Sequence, residues 1–496
     1  MDRRDLTRGL MFLLFFLSGI SGLVYQIVWT RQLVLVFGNT LLATSSVLTA
    51  FMAGLAAGSY LLGKYIDARP WPLIKLYALL EAGIGGFALV FPLLLAAATP
   101  LYTGLYRVLE GNIVLLNLVR FAVCCGLIFI PTFMMGGTLP VLIKRFVERD
   151  RSLGHQTGFL YGLNTAGAMV GCLASGYFLL RTLGMQKTTW VAVGINLTVA
   201  AVAWALARGE DVTAEGETGA VGVDIEGGVG EPGASGATIR LVLVGIGLSG
   251  FCALAYEVFW TRMLNLFLNN NIYSFTAILA TFLAGIALGS LLYTKFLSRV
   301  GRPVVLFAGI EIAIGLLSYA TPFVFNLFHG TLFFRQSEAL TLAKTAVIMI
   351  APTVLMGIAV PLAVQICQRG PRREGTTVGT VYAVNTVGAI LGAFAAGFVL
   401  IPGVGLHRGL IAVVSLNILA GFLPLISEAR PARRPVWGGV LFGMVASMFL
   451  AAPATLFRGL YQKYQPTADI LHYQEGKIAN VVVYDFVKSG YKDLYL

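Results

Sequence analysis

The sequence predicts an all-α polytopic membrane protein: two parallel six-helix repeats, a thirteenth helix and a short C-terminal β-meander. Three observations predict it. Of 496 residues, 57% are hydrophobic and only 12% charged, whereas a water-soluble domain carries about 25% charged residues, so an ordinary soluble enzyme is excluded. The apolar residues fall in runs of roughly 20, the length of a bilayer-spanning helix, and lack the period of 2 of a membrane barrel. Finally, the second half of the chain repeats the first.

The chain opens with Arg3, Arg4 and Arg8 before a long apolar run without a small-residue cleavage site, so this run is read as a retained first helix. Spans follow at 10–29, 41–62, 73–95, 115–141, 159–180 and 190–207, and then at 241–260, 272–292, 304–324, 343–364, 378–400 and 410–425. A further run at 436–456 is long enough to be a thirteenth. The predicted units are a first repeat at 1–208, a Gly-rich acidic linker at 209–237, a second repeat at 238–428, the extra helix at 435–457 and the β-rich end at 465–496. The linker has almost nothing to bury, which predicts a flexible connection.

The repeat is legible residue by residue. SGISGLVYQIVWTRQL at Ser18 is echoed by SGFCALAYEVFWTRML at Ser249, and Gly54, Gly58 and Ser59 match Gly285, Gly289 and Ser290. YGLNTAGAMVGCLASG at Tyr161 is echoed by YAVNTVGAILGAFAAG at Tyr382, which pairs Asn164 with Asn385. Pro131 and Pro140 match Pro352 and Pro361. Shared hydrophobicity alone does not produce identities of Tyr, Trp, Arg, Asn and Pro at a fixed offset within each block.

The net charge of +12 comes from 35 basic and 23 acidic residues, and it does not cluster as a nucleic-acid site would require. Most bases lie in alternate short loops, with Lys64, Arg69, Lys75, Lys144 and Arg145 repeated by Lys295, Arg299, Arg302 and Arg373. The positive-inside rule then predicts a cytoplasmic N-terminus. Basic loops on the same side in both copies make the repeats parallel. Cys124, Cys125, Cys172, Cys252 and Cys367 lack metal-ligand spacing and read as small core residues. No metal site, nucleophile triad or phosphate loop is predicted.

Parallel six-helix repeats joined by a long central loop resemble the major facilitator superfamily, whose halves rock about a midplane site. GKYIDARP at Gly63 and KFLSRVGRP at Lys295 look like degenerate forms of that superfamily's G-x-x-x-D-R-x-G-R loop, retaining Gly63, Asp67 and Arg69 in one copy and Arg299, Gly301 and Arg302 in the other. A closer resemblance is to the bacterial family that fuses a facilitator-like module to a spermidine synthase. Its Y-[EQ]-x-x-W-x-R-x-L element occurs at Tyr25 to Leu33 and at Tyr256 to Leu264. The end of the chain from Asp469 looks like the first strands of a spermidine synthase, with alternation over Asn480 to Tyr484 and turn residues at Ser489 and Gly490. The resemblance implies the bacterial cytoplasmic membrane, a polyamine as ligand, and a synthase domain in cis or in trans. An S-adenosyl donor is implied only with a downstream synthase domain, since the Gly-rich nucleotide turn is absent and Ala479 stands where soluble relatives place a substrate-binding Gln.

Ionisable groups inside spans are expensive and therefore informative. Glu81, Glu311 and Glu257 are expected to line a central cavity that attracts a small cationic amine or a proton; the alternative is that Glu and Arg pair internally and fix helix packing, with the Arg side chains snorkelling to the interface. Tyr25 with Trp29 and Tyr256 with Trp260 form either an aromatic box for an ammonium group or interfacial anchors. Asn164 and Asn385 read as substrate contacts or as amide glue between helices. Arg31, Arg262, Asp67, Arg69, Arg299 and Arg302 read as structural or gating residues. Pro131 with Gly136, Gly137 and Pro140, and Pro352 with Gly357 and Pro361, are expected to break the fourth and tenth helices. The functional expectations are a polyamine-handling transporter or channelling module, a membrane-bound aminopropyltransferase whose catalytic domain lies outside this chain, or a non-transporting scaffold.

Overall fold

A computed structural model describes residues 3–38, 41–109, 111–147, 152–214, 235–265, 272–328, 338–368, 373–428, 434–451, 462, 468–475, 480–486 and 491–495. The first repeat forms α1 (Arg3–Phe37), α2 (Leu41–Ala68), α3 (Leu73–Leu109), α4 (Ile113–Phe146), α5 (Leu153–Leu173) and α6 (Leu180–Ala214). The second forms α7 (Gly236–Asn265), α8 (Ile272–Leu292), α9 (Pro303–Phe328), α10 (Glu338–Cys367), α11 (Glu374–Ala395) and α12 (Ile401–Glu428). Among the described residues ten helical stretches are long and apolar enough to cross a bilayer, and two of them, Leu153–Arg208 and Glu374–Ile426, each hold a pair of helices. Both pairs are joined the same way. A π-helical turn (Ala174–Leu179 or Ala396–Leu400) leads to a glycine at positive φ, Gly184 at 71° or Gly405 at 84°, a conformation that glycine adopts without a Cβ clash.

The helices outrun the apolar segments. α3 continues to Leu109 through Pro92 and Pro100, and α1 starts at Arg3 and ends at Phe37. The expected breaks in the fourth and tenth helices do not occur, since α4 and α10 run unbroken through Pro131, Pro140, Pro352 and Pro361. The reason lies in the neighbours. A Cβ on Gly136 would strike the backbone of Leu55 in α2, and one on Gly357 would strike that of Ile286 in α8, so these glycines serve close helix packing. Gly58 against Phe133, and Gly289 against Val354, extend the same seams.

The predicted linker is shorter than expected, because α6 continues to Ala214 and α7 begins at Gly236; residues 215–234 lie outside the described residues. Beyond α12, α13 (Arg434–Ala451) packs on α12 through Leu441 and Met444. Three strands follow, β1 (Asp469–Glu475), β2 (Asn480–Phe486) and β3 (Tyr491–Tyr495), in the antiparallel order β1-β2-β3. Ile470, Val482 and Tyr484 bury one face of this sheet with Ala468, while Leu471 and Leu494 are exposed. That is the alternation of a half-buried meander. Ser489 and Gly490, the expected turn residues, lie outside the described residues.

Candidate functional site

The two halves meet along two seams, α2 against α11 and α5 against α8. Near the middle, Tyr161 of α5 and Tyr382 of α11, which are repeat mates, meet edge to face with ring centroids 6.0 Å apart. A residue touching its own mate marks the pseudo-two-fold axis between the halves. Glu257 of α7 is half-buried and within electrostatic reach of Cys172 on α5, in the other half. Its mate in α1 is Gln26.

Glu81 and Glu311 are elsewhere. Each is fully buried inside its own half. Glu81 of α3 accepts hydrogen bonds from Ser18 Oγ of α1 at 2.6 Å and from Asn196 Nδ2 of α6 at 2.5 Å. Glu311 of α9 accepts from Asn417 Nδ2 of α12 at 2.5 Å and stands beside Ser249 of α7. Ser18 with Ser249, and Asn196 with Asn417, are repeat mates, so one node binding three helices occurs twice. Both oxygens of Glu81 accept a hydrogen bond, whereas Glu311 accepts at Oε2 and its Oε1 is buried with no hydrogen-bond partner among the described residues. The expectation that these two acids line a central cavity is therefore corrected: their hydrogen-bond partners are Ser and Asn side chains inside each half, where the alternative expected arginines.

The aromatic pairs also lie inside the halves. Tyr25 stacks on Trp29 at 4.9 Å and Tyr256 on Trp260 at 5.5 Å, all four essentially free of solvent exposure, so they neither enclose an ammonium group nor anchor at an interface. Trp29 further stacks on Phe91 at 5.0 Å, while Trp260 Nε1 donates to Thr321 Oγ1 at 3.1 Å. Arg31 and Arg262 are half-buried in α1 and α7. Asn164 Nδ2 donates to the Phe15 carbonyl at 3.1 Å within the first half, and Asn385 presses on Gly250 within the second. The Asn164 amide thus joins α5 to α1.

At the end that carries the basic loops, both seams are closed. Asp67, 8% exposed, pairs with Lys144 at 2.9 Å and accepts from the backbone N–H groups of Gly375, at 3.3 Å, and Thr376, at 2.6 Å. It thus caps the N-terminus of α11 across the seam, where the helix dipole favours an anion. Gly63 makes this possible, since a Cβ there would strike the Gly375 carbonyl. In the opposite seam, Ser298 replaces Asp67 and Gln365 replaces Lys144. His155 Nδ1 meets Ser298 Oγ at 3.2 Å, Gln365 Nε2 donates to the Ser298 carbonyl at 3.4 Å, and Tyr293 hydrogen-bonds to Gln365. Arg69, Arg299 and Arg302 are exposed, with Arg69 over the Tyr65 ring at 5.7 Å.

Sequence reading missed Ser18, Asn196, Ser249, Asn417, Tyr161 and Tyr382 as site residues. The signal was present, because Asn196 and Asn417 recur at the offset that pairs Asn164 with Asn385. It also missed two buried cations inside apolar runs. Arg120 donates from Nε to Tyr102 at 2.8 Å and from a terminal nitrogen to Asn117 at 3.1 Å, and Lys344 is 2% exposed. Among the described residues no cluster of His, Cys, Asp and Glu is arranged to hold a metal ion.

The architecture has known counterparts. A bacterial homologue of the iron transporter ferroportin in its outward-facing state superposes with a TM-score of 0.56 at 14% identity, covering 86% of this chain and all of that one. A human organic anion transporter gives 0.55 at 12% identity, and the Escherichia coli fucose:proton symporter 0.51 at 13%. They cover 86% and 85% of this chain, and 100% and 98% of their own lengths. The fold is that of the major facilitator transporters. Among curated proteins, a polyamine aminopropyltransferase of Corynebacterium efficiens is 28% identical over 184 residues, 36% of this chain. A second, from Streptomyces coelicolor, is 26% identical over 219 residues, 44% of this chain. The matches span 34% and 39% of those relatives' own lengths. No protein-family model matches the chain.

Proposed function

We propose that this chain is the facilitator-fold membrane module of a polyamine-handling protein and moves a small cationic amine between its two halves. The observation that carries the reading is the position of Glu257. Of the three acids expected in the spans, it is the one within reach of the opposite half. A carboxylate at the seam gives an ammonium group a counter-charge where burial otherwise penalises it. The Tyr161 and Tyr382 rings beside the axis add aromatic faces suited to a cation. The substrate class rests on the aminopropyltransferase likeness, and the basic end faces the cytoplasm by the charge rule.

Uptake of radiolabelled putrescine or spermidine by proteoliposomes tests this, with Glu257→Gln as the variant. Loss of uptake in a variant that remains folded supports the reading. Absence of uptake and of binding in the unmodified chain removes it and leaves the scaffold. A second reading is favoured by the β1 to β3 sheet together with the curated matches: the module belongs to a membrane-bound aminopropyltransferase and passes its amine to a synthase domain. Addition of a soluble synthase domain to the proteoliposomes, with product formation as the readout, distinguishes channelling from free transport.

A further inference from the structure

Arg120 of α4 is a full positive charge, 8% exposed, and Thr341 takes its place in the second repeat. Its Nε donates to Tyr102 Oη of α3 at 2.8 Å and its Nη1 to Asn117 Oδ1 at 3.1 Å. Among the described residues no carboxylate pairs with it. Both neighbours meet the guanidinium with an acceptor, so the Tyr102 hydroxyl hydrogen and the Asn117 amide hydrogens remain as donors. The guanidinium itself is all donor, and its Nη2 is engaged by none of the described residues. The cluster therefore combines a buried cation with a surplus of donors, and burial of a charge is expensive until a counter-charge meets it.

We propose that Arg120, Tyr102 and Asn117 form a phosphate-binding site at the membrane interface, filled from the headgroup of a phospholipid. The position selects this anion. Lys144 and Arg145 mark the other end of α4, and the apolar stretch of the helix starts at Leu115. Arg120 thus lies about 7.5 Å inside the stretch, at 1.5 Å per residue, a depth from which an Arg side chain reaches the headgroups. Tyr102 meets Phe37 edge to face at 4.7 Å and lies 6.3 Å from Tyr106, aromatic residues of the kind that sit at headgroup level. Leu105 and Tyr106 of α3 and Leu115 and Leu118 of α4 are exposed and offer apolar surface to the acyl chains. The planar guanidinium fork matches two phosphate oxygens, and one phosphodiester charge balances one guanidinium.

The test is native mass spectrometry of the full chain, delipidated in detergent and titrated with phosphatidylglycerol or with diacylglycerol of the same acyl chains, which lacks the phosphate. The expected result is one tightly bound phosphatidylglycerol, held about tenfold more weakly by Arg120→Gln, while diacylglycerol binds the two proteins alike. Arg120→Lys keeps the charge and loses the fork; it is expected to fall between them, and it covers the case in which the Gln variant does not fold. Thermal unfolding separates binding from bracing, because phosphatidylglycerol is expected to raise the unfolding temperature of the unmodified chain more than that of the variants. Displacement of the lipid by inorganic phosphate supports the phosphate site and identifies free phosphate as an alternative occupant. Equal phosphatidylglycerol affinity in the unmodified chain and both variants overturns the proposal. So does a loss of diacylglycerol binding in the variants that matches the loss of phosphatidylglycerol, since the site then reads acyl chains alone.

Discussion

The first half of the molecule closes its end of the bundle with charge, and the second half does so without it. Asp67 holds Lys144 and the N-terminus of α11, whereas Ser298 holds Gln365 and His155. The scaffold beneath is the same in both halves: the Ser, Glu and Asn nodes, the stacked Tyr and Trp, and the glycine seams. Duplication thus preserved what packs each six-helix unit and changed what joins one unit to the other. Hydrogen bonds to a charged group contribute about 1.5–3 kcal/mol, against about 0.5–1.5 for neutral ones, so the α2/α11 seam holds the basic end more firmly.

The largest expected effect breaks what the halves share. Gly58→Val and Gly289→Val drive a branched side chain into the backbone of α4 or α10, and each is expected to cost about 3 kcal/mol, the upper end for overpacking, read as loss of monodisperse protein in detergent. Equal damage in both is the prediction, and a large disparity would show that one half folds on the template of the other. Next, Glu81→Leu and Glu311→Leu each strand a buried Asn and Ser. A cost of about 1–3 kcal/mol is expected, seen as a lower unfolding temperature, with Glu→Gln milder at both sites.

A smaller effect sharpens the difference. Asp67→Asn is expected to remove about 1.4 kcal/mol from the closed basic end, a tenfold shift towards opening. Spin-label distances between α2 and α11 read that shift, and Ser298→Ala should move the α5/α8 distance less. An equal response at both seams would remove the distinction between charged and neutral clamps. The smallest expected change is at the Trp partners. Thr321→Val removes the acceptor of the Trp260 Nε1 hydrogen bond at nearly constant volume, and a cost of about 1 kcal/mol is expected in thermal unfolding.

The helices were legible because hydrocarbon demands long apolar runs, and the repeat was legible because Tyr25, Trp29, Asn164 and Pro131 have mates at fixed offsets. The β-meander was legible from the alternation at Asn480 to Tyr484. Periodicity did not reveal which acid faces which neighbour. Glu81 and Glu257 look alike as single acids in apolar spans, yet one points to α1 and α6 and the other towards α5. That choice depends on helix rotation and on which helices become neighbours, and both are set by glycine seams and inter-helix hydrogen bonds far apart in the chain.

By itself, the sequence determined a polytopic membrane protein of two parallel six-helix units, because chain length, apolarity and basic loops act through the bilayer locally. Only the tertiary structure decided that Glu81 and Glu311 are internal braces, that Tyr161 meets Tyr382 on the axis, and that one seam is closed by charge while its mate is closed without it. Those outcomes require two copies of a unit to pack against each other, and the differences between mates such as Asp67 and Ser298 acquire meaning only across that contact.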